Sequence, residues 1–199
     1  GGIAATVSGS GSTYTATATM NSSVASGTIT FTVNYSDLSG NAGTQVTSTT
    51  NSSAVTFDKT APTLSAVTIS SNNATSSLAK VGDVVTLSIT SSESIQAPTV
   101  SIGGIAATVS GSGSTYTATA TMTSSVTSGT ITYSINYSDL SGNAGTQVTS
   151  TTNNSTVTFD QTVPTLSAVT ISSNNATSSL AKVGDVVTLS ITSSESIQA

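Results

Sequence analysis

Residues 1–97 return almost unchanged as residues 103–199, and this internal duplication limits what the chain can fold into. With Gly1 aligned to Gly103, nine of the 97 paired positions differ. The differing pairs are Asn21/Thr123, Ala25/Thr127, Phe31/Tyr133, Thr32/Ser134, Val33/Ile135, Ser52/Asn154, Ala54/Thr156, Lys59/Gln161 and Ala61/Val163. A repeat of about 100 residues has the size of a small domain and is too long for a solenoid unit. Because each further copy of a domain adds length, the duplication favours a structural array over an enzyme.

The composition argues against several classes of function. Only 6% of the residues are charged and 35% are apolar, so Ser, Thr, Asn and Gly must form much of the surface. The net charge is −5, and three basic residues cannot form the positive patch that nucleic acid requires. No apolar run approaches the ~20 residues of a membrane-spanning helix, so we expect neither nucleic-acid binding nor membrane insertion.

Apolar and polar residues alternate along several segments, as they do in half-buried strands. In residues 13–20, one face carries Tyr14, Ala16, Ala18 and Met20, and the other face carries threonines. Residues 28–35 and 85–89 alternate in the same way, and Gly, Ser and Asn clusters separate these runs. Since no segment has a sustained helical stripe, the sequence predicts an all-β chain.

A proline-containing segment marks the module boundaries. Residues 58–62 read DKTAP and recur as DQTVP at 160–164, and proline favours a linker or the start of a strand. Reading onward from the first linker, the sequence predicts seven strands, at about 63–70, 83–91, 98–102, 105–109, 114–122, 129–137 and 154–159. Seven short strands in about 100 residues predict an immunoglobulin-like β-sandwich.

The predicted organisation is therefore a tandem of such sandwiches with seven strands per module. Residues 1–58 form the C-terminal part of one module, residues 59–160 a complete module, and residues 161–199 the N-terminal part of the next. A partial module exposes sheet edges and core. Either the sequence is an excerpt from a continuous array, which we favour, or neighbouring chains complete each other's sandwiches by strand exchange.

Four segments resemble a known family. They are residues 55–62 (VTFDKTAP), 81–87 (VGDVVTL), 92–93 (SE) and 137–145 (YSDLSGNAG). Over its whole length the chain is similar to the tandem bacterial immunoglobulin-like (Big) repeats of large surface adhesins and biofilm-associated proteins. The resemblance implies an extracellular, cell-surface stalk for cell adhesion that extends a binding tip, with calcium between modules. It also implies that the partners are neighbouring modules, and a cell-surface or carbohydrate ligand bound outside residues 1–199.

The residues needed for catalysis are scarce. The chain has no histidine and no cysteine, which removes the commonest general base, the thiolate nucleophile and most zinc ligands. A serine nucleophile needs a positioned base, and three lysines are the only basic candidates. We therefore expect no enzymatic activity.

The eight acidic residues are more informative because they are so few. In an immunoglobulin sandwich, the chain enters at the end that also carries the second-to-third and sixth-to-seventh strand loops. Asp58, Glu93 and Asp139 occupy these three places, so the topology predicts that their carboxylates meet at one module junction. Like charges that gather need a cation, and calcium accepts six to eight oxygens. Carbonyls, Asn143 and water would complete the shell. The repeat-related candidate ligands are Asp160, Glu195 and Asp37.

Other interpretations remain open. The acids are equally typical of solvated loops, with Asp139 and Asn143 forming a tight turn. For the function of the whole chain, the alternative is a binding module whose repeated Thr-rich faces contact carbohydrate, ice or a partner cell. A further alternative is a self-assembling fibre subunit completed by strand exchange.

Overall fold

The computed structural model describes residues 2–197 and is built from strands and loops, with no helix in that range. The prediction of an all-β chain is therefore confirmed. The chain divides into two compact units, Gly1–Phe159 and Asp160–Ala199. The three modules predicted from the repeat divide the chain more finely, and their boundaries stay predictions. The described residues contain no helix that is long and apolar enough to cross a membrane.

The first unit contains fourteen of the strands found in residues 2–197. Four belong to its first part: β1 Thr6–Ser10, β2 Thr13–Thr17, β3 Gly27–Thr28 and β4 Thr56–Phe57. Ten belong to its second part: β5 Leu64–Ser71, β6 Leu78–Ala79, β7 Val84–Ser91, β8 Thr99–Ile102, β9 Ile105–Ala106, β10 Thr108–Ser112, β11 Thr115–Thr121, β12 Gly129–Thr130, β13 Tyr133–Asn136 and β14 Thr158–Phe159. The second unit contains β15 Leu166–Ser173 and β16 Val187–Ser193.

The strands of the first unit's second part form one larger sheet and two smaller ones. The larger sheet has four antiparallel strands in the order β10-β11-β7-β5. The smaller sheets have the orders β13-β8-β9 and β12-β14-β6, and β6 runs parallel to β14. The N–H of Ile131, between β12 and β13, donates to the Val157 carbonyl (2.9 Å), which extends the pairing beside β14.

Side chains from all three sheets meet in one buried cluster. In β7 the alternate residues Val85, Leu87 and Ile89 are at most 1% exposed, as the period of two predicts. Ile135 of β13 and Phe159 of β14 are fully buried in the same cluster. The core therefore belongs to residues 62–159, where every alternating run has a partner.

Each of the seven expected runs contains a strand, although three are shorter or divided. The run 129–137 is split because β12 pairs with β14, whereas β13 pairs with β8. The run 105–109 is interrupted at Ala107, and the run 154–159 is reduced to Thr158–Phe159. The short strand β6 was not expected, since it lies beside the Ser/Asn cluster at 70–77 and is held by parallel pairing with β14.

The repeat-related halves at either end keep the same hairpins but leave their apolar faces open. Tyr14 is 61% exposed although its counterpart Tyr116 is 5% exposed, and Leu189 is 57% exposed although its counterpart Leu87 is fully buried. Residues 2–55 surround an open, mainly apolar groove of about 990 Å³. Apolar side chains that are buried in residues 62–159 are thus exposed at the repeat-related positions before and after them.

Candidate metal centre

Three loops of the first unit bring three carboxylates together. Asp58 follows β4, Glu93 follows β7 and Asp139 follows β13. One oxygen of each residue lies within 4.8 Å of an oxygen of the other two. Asp58 and Glu93 are half-buried, and Asp139 is only 1% exposed. The convergence expected from topology is therefore present in the structure.

Asp139 is held by a tight turn that follows β13. Its N–H donates to the Asn143 carbonyl (3.1 Å), and the Gly142 N–H donates to the Asp139 carbonyl (3.2 Å). Gly142 has a φ of +94°, a region that glycine enters at little steric cost. A single antiparallel bridge joins Asp139 to Ile95, so the backbone itself brings this turn to the loop of Glu93.

Asn143 joins this turn to the linker. Its side-chain Nδ2 donates both to an oxygen of the Asp139 carboxylate (2.7 Å) and to the carbonyl of Asp58 (3.2 Å). Its backbone N–H donates to the other Asp139 oxygen (2.8 Å). Asn143 therefore holds the Asp139 carboxylate through two hydrogen bonds and the backbone of the linker at Asp58 through a third. The sequence suggested Asn143 as a ligand, and it gave no signal for the contact with the Asp58 carbonyl.

The loop of Glu93 is fixed by backbone contacts on both sides. The Gln96 N–H donates to the Ser138 carbonyl and the Ile95 N–H to the Gly113 carbonyl, each at 2.9 Å. The buried Tyr116 hydroxyl donates to the Ile95 carbonyl (2.9 Å). The backbone of the loop is thus anchored to the core and to the turn of Asp139, which brings Glu93 beside the other two acids.

Asp139 stays ionised in spite of its burial. Burial alone raises the pKa of its carboxyl, but hydrogen bonds from the Asn143 side chain and backbone, with those from Gly142 and Ser141, outweigh that effect. The resulting pKa lies below the usual value of 3.8. Asp139 therefore carries a negative charge at neutral pH, as a cation ligand must.

The linker beside Asp58 is tied to the loop of residues 22–26. An Asp58 carboxylate oxygen accepts from the Thr60 N–H (2.9 Å) and from the Ser26 hydroxyl (3.4 Å). The Lys59 ammonium donates to the carbonyls of Ser22 and Val24, each at 2.8 Å. The sequence did not predict these contacts, because Lys59 is replaced by glutamine in the next repeat.

The other three predicted ligands do not join such a group within residues 2–197. Asp37 repeats the turn of Asp139, and hydrogen bonds led by the Asn41 side chain lower its pKa. Asp160 accepts from the Thr162 N–H (2.9 Å). In the second unit, one carboxylate oxygen of Glu195 is buried without a hydrogen-bond partner among the described residues. To complete a triad like that of Asp58, Glu93 and Asp139, each of them would need an acid at an equivalent repeat position outside residues 1–199.

Asp83 serves a different purpose. Its carboxylate accepts from the Asn73 side chain (2.7 Å) and the Lys80 N–H (2.9 Å), and these bonds, led by that of Asn73, lower its pKa. Asp185 makes the equivalent contacts with Asn175 and Lys182. Both are turn residues, as their place before β7 and β16 suggests.

The donor set of the triad fits a hard divalent cation. Asp58, Glu93 and Asp139 offer only oxygen, with no sulfur or imidazole. Carboxylates with carbonyls and water suit magnesium, calcium and manganese. Binding through one oxygen each, the three carboxylates supply three of the six to eight oxygens that calcium takes, so second carboxylate oxygens, carbonyls and water would have to provide the rest.

Comparisons with known proteins leave the family open. No protein-family model and no curated protein matches the chain. A solved structure of a polysaccharide lyase is 18% identical over 49% of this chain, with a TM-score of 0.33. The chain covers 12% of that lyase. This likeness is too weak to indicate a fold or an activity.

Proposed function

We propose that this chain is part of an extracellular bacterial adhesin stalk or surface fibre, in which it acts as a non-catalytic spacer. The observation that carries the proposal is the difference between copies of one repeat. The same side chains are buried in residues 62–159 and exposed in the two partial copies, for example Leu87 and Leu189. A sequence whose halves are completed by neighbouring copies is suited to a continuous row of modules.

Each module of this row is an immunoglobulin-like sandwich. In this proposal the four-stranded sheet β10-β11-β7-β5 is one layer, and the two three-stranded sheets β13-β8-β9 and β12-β14-β6 together make the other. Support comes from the buried cluster, which joins Leu87 of the first layer to Ile135 and Phe159 of the second. The neighbouring modules are the chain's first partners, and any ligand of the adhesin is bound elsewhere.

A calcium ion at the Asp58, Glu93 and Asp139 triad would stiffen the junction. Asp58 lies in the linker, whereas the other two acids belong to the module that follows it. A cation held by all three ties the linker to that module and restricts the hinge between neighbours. Without the cation, three carboxylates within 4.8 Å of one another repel.

The spacer role predicts that length grows with repeat number. Inserting a second copy of residues 59–160 after Asp160 should lengthen the particle by about 30–40 Å, because strands of about eight residues rise ~3.3 Å per residue and the linker between modules adds to that length. Small-angle X-ray scattering in calcium, on dilute monomeric chain, measures the maximum dimension. A Gly/Ser insertion of equal length is the control. It should broaden the distribution of interatomic distances, and the cross-section of the particle should not stay constant. An insertion of 59–160 that leaves the maximum dimension unchanged contradicts the spacer role.

The junction site predicts a selective loss of calcium binding. Glu93→Gln removes one charge from a side chain that holds none of the turn bonds, so the module should stay folded. Calcium should bind the unaltered chain at about 0.1–1 mM, the range of extracellular modules, and the variant at least about tenfold more weakly. Isothermal calorimetry measures both affinities. Glu195→Gln, the same change at the repeat-related position, is the matched control and should leave the first site unaffected. Equal affinities for the Glu93 variant and the unaltered chain would refute the site.

A further inference from the structure

Residues 62–159 begin and end with two segments that lie side by side. The first segment, residues 62–79, contains β5 and β6, and the last segment, residues 151–159, contains β14. One edge of β5 pairs with β7, and its other edge faces the last segment. Because the chain enters through the first segment and leaves through the last, any pull along the chain acts on these two segments first.

Two hydroxyl side chains of the last segment close this edge of β5. The Val67 N–H donates to the Thr152 hydroxyl (3.1 Å), and the Val67 carbonyl accepts from the Thr152 N–H (2.9 Å) and hydroxyl (3.2 Å). Two residues on, the Ile69 N–H donates to the Ser155 hydroxyl (3.0 Å). Val67 and Ile69 are 0% and 5% exposed, so their backbone groups depend on these partners rather than on water.

The two segments meet again at the end of the Ser/Asn cluster 70–77. The Thr158 N–H donates to the Ser77 carbonyl (2.9 Å), and β14 pairs in parallel with β6. From one contact to the next, residue numbers rise together along both segments, so the segments run in the same direction. A row of hydrogen bonds therefore joins them from Val67 to β6.

The shared direction of the two segments decides how a load acts on them. The chain enters at one end of the row of hydrogen bonds and leaves at the opposite end. A pull therefore slides one segment along the other, and the bonds are loaded together rather than one after another. The bond between Val67 and Thr152 joins residues 85 positions apart in sequence. While it holds, the load passes through it and the residues between carry little of the tension.

We propose that these bonds form a terminal clamp, a mechanical element that keeps residues 62–159 folded when the chain is stretched. The clamp consists of the bonds of Val67 with Thr152, of Ile69 with Ser155 and of Ser77 with Thr158, together with the pairing of β6 and β14. This further function rests on the proposed stalk role, because a stalk is under tension when its tip is bound. Under force the unfolding rate, rather than the equilibrium stability, decides whether a domain survives.

The clamp hydroxyls are the same in both copies of the repeat. Thr152 and Ser155 recur as Thr50 and Ser53, although the residues on either side of Ser155 differ between the copies. In a row of such modules, each module would have its own clamp. The row would then resist tension along its whole length, since no module lacks the bonds that protect its neighbours.

Single-molecule stretching at constant force, with the full chain held by its two ends in calcium-free buffer, tests the clamp. Unfolding of residues 62–159 should appear as a step of about 300 Å, because about 100 extended residues span ~3.3–3.6 Å each. Thr152→Val and Ser155→Ala remove one clamp hydroxyl each and keep the backbone bonds. Each variant should unfold about fivefold faster at a given force, because a lost hydrogen bond lowers the barrier by about 1 kcal/mol.

Tyr116→Phe is the matched control, because it removes one buried hydrogen bond, to the Ile95 carbonyl, that lies outside the clamp. In urea it should destabilise the chain about as much as the clamp variants do. Under end-to-end force its unfolding rate should equal that of the unaltered chain. Far-UV circular dichroism shows that each variant is folded before it is stretched.

The direction of pulling provides a second test that leaves the clamp residues unaltered. The chain has no cysteine, so Thr63→Cys with Ser150→Cys supplies two attachment points at exposed positions. Both positions precede the clamp in their segments and lie at the same end of it. A pull between them peels the bonds apart one after another, so this chain should unfold faster than the end-held chain at the same force.

Equal unfolding rates in the two pulling directions would overturn the clamp. So would Thr152→Val and Ser155→Ala chains that unfold under force no faster than Tyr116→Phe. Either result leaves the spacer role standing, because that role is decided by particle length in scattering. Conversely, a chain that passes both stretching tests and fails the length test has the clamp but does not act as a spacer.

Discussion

Replacing Leu87 with alanine should lower the free energy of unfolding by about 2–5 kcal/mol. The same replacement at Leu189 should change it by less than about 0.5 kcal/mol in monomeric chain. Leu87 is fully buried and Leu189 is 57% exposed, although residues 62–97 and 164–199 have identical sequences. The loss at Leu87 combines the transfer of its apolar atoms with the cavity that remains, and neither term applies to an exposed leucine.

Urea unfolding followed by far-UV circular dichroism measures both values. Leu189→Ala is the matched control, because it makes the same change at an exposed position. Equal losses at the two positions in monomeric chain would contradict the distinction between a complete central module and an open one.

Much of this fold follows from local sequence because its strands alternate strictly. Val85, Leu87 and Ile89 identify a buried face without knowledge of any partner. The points at which an alternating run is divided into separate strands depend on which strand lies alongside. The run 129–137 reads as one strand, yet β12 and β13 pair with different neighbours. Pairing over long sequence distances carries no local signature, so β6 and the division of that run could not be predicted.

The candidate site was more predictable from topology than from spacing. Asp58, Glu93 and Asp139 are far apart in sequence, and only the assumed sandwich places their loops at one end. The structure brings them together. What could not be predicted is how the site is held, since the bond from Asn143 to the Asp58 carbonyl depends on where the linker crosses the module. The contacts of Lys59 depend on the preceding half-module in the same way.

The second large effect concerns a glycine beneath a buried ring. A Cβ added to Gly145 would overlap the aromatic ring of Tyr137, which is 8% exposed. The ring is further fixed by a hydrogen bond from the backbone of Leu64, and burial raises the pKa of its hydroxyl. Because the ring is buried and cannot turn into solvent, Gly145→Ala should lower the free energy of unfolding by about 1–3 kcal/mol, the usual cost of overpacking. Urea unfolding measures the loss, and near-UV circular dichroism reports displacement of the tyrosine.

Gly43→Ala is the matched control, because its added Cβ overlaps Tyr35 in the same way. Tyr35 is 55% exposed, so its ring can rotate away into solvent at little cost. The control should therefore change the free energy of unfolding by less than about 0.5 kcal/mol. A similar loss at both glycines would mean that the ring of Tyr35 is held as firmly as that of Tyr137. The open half-module would then be as closely packed as the complete one, and neither half would need a neighbour to cover it.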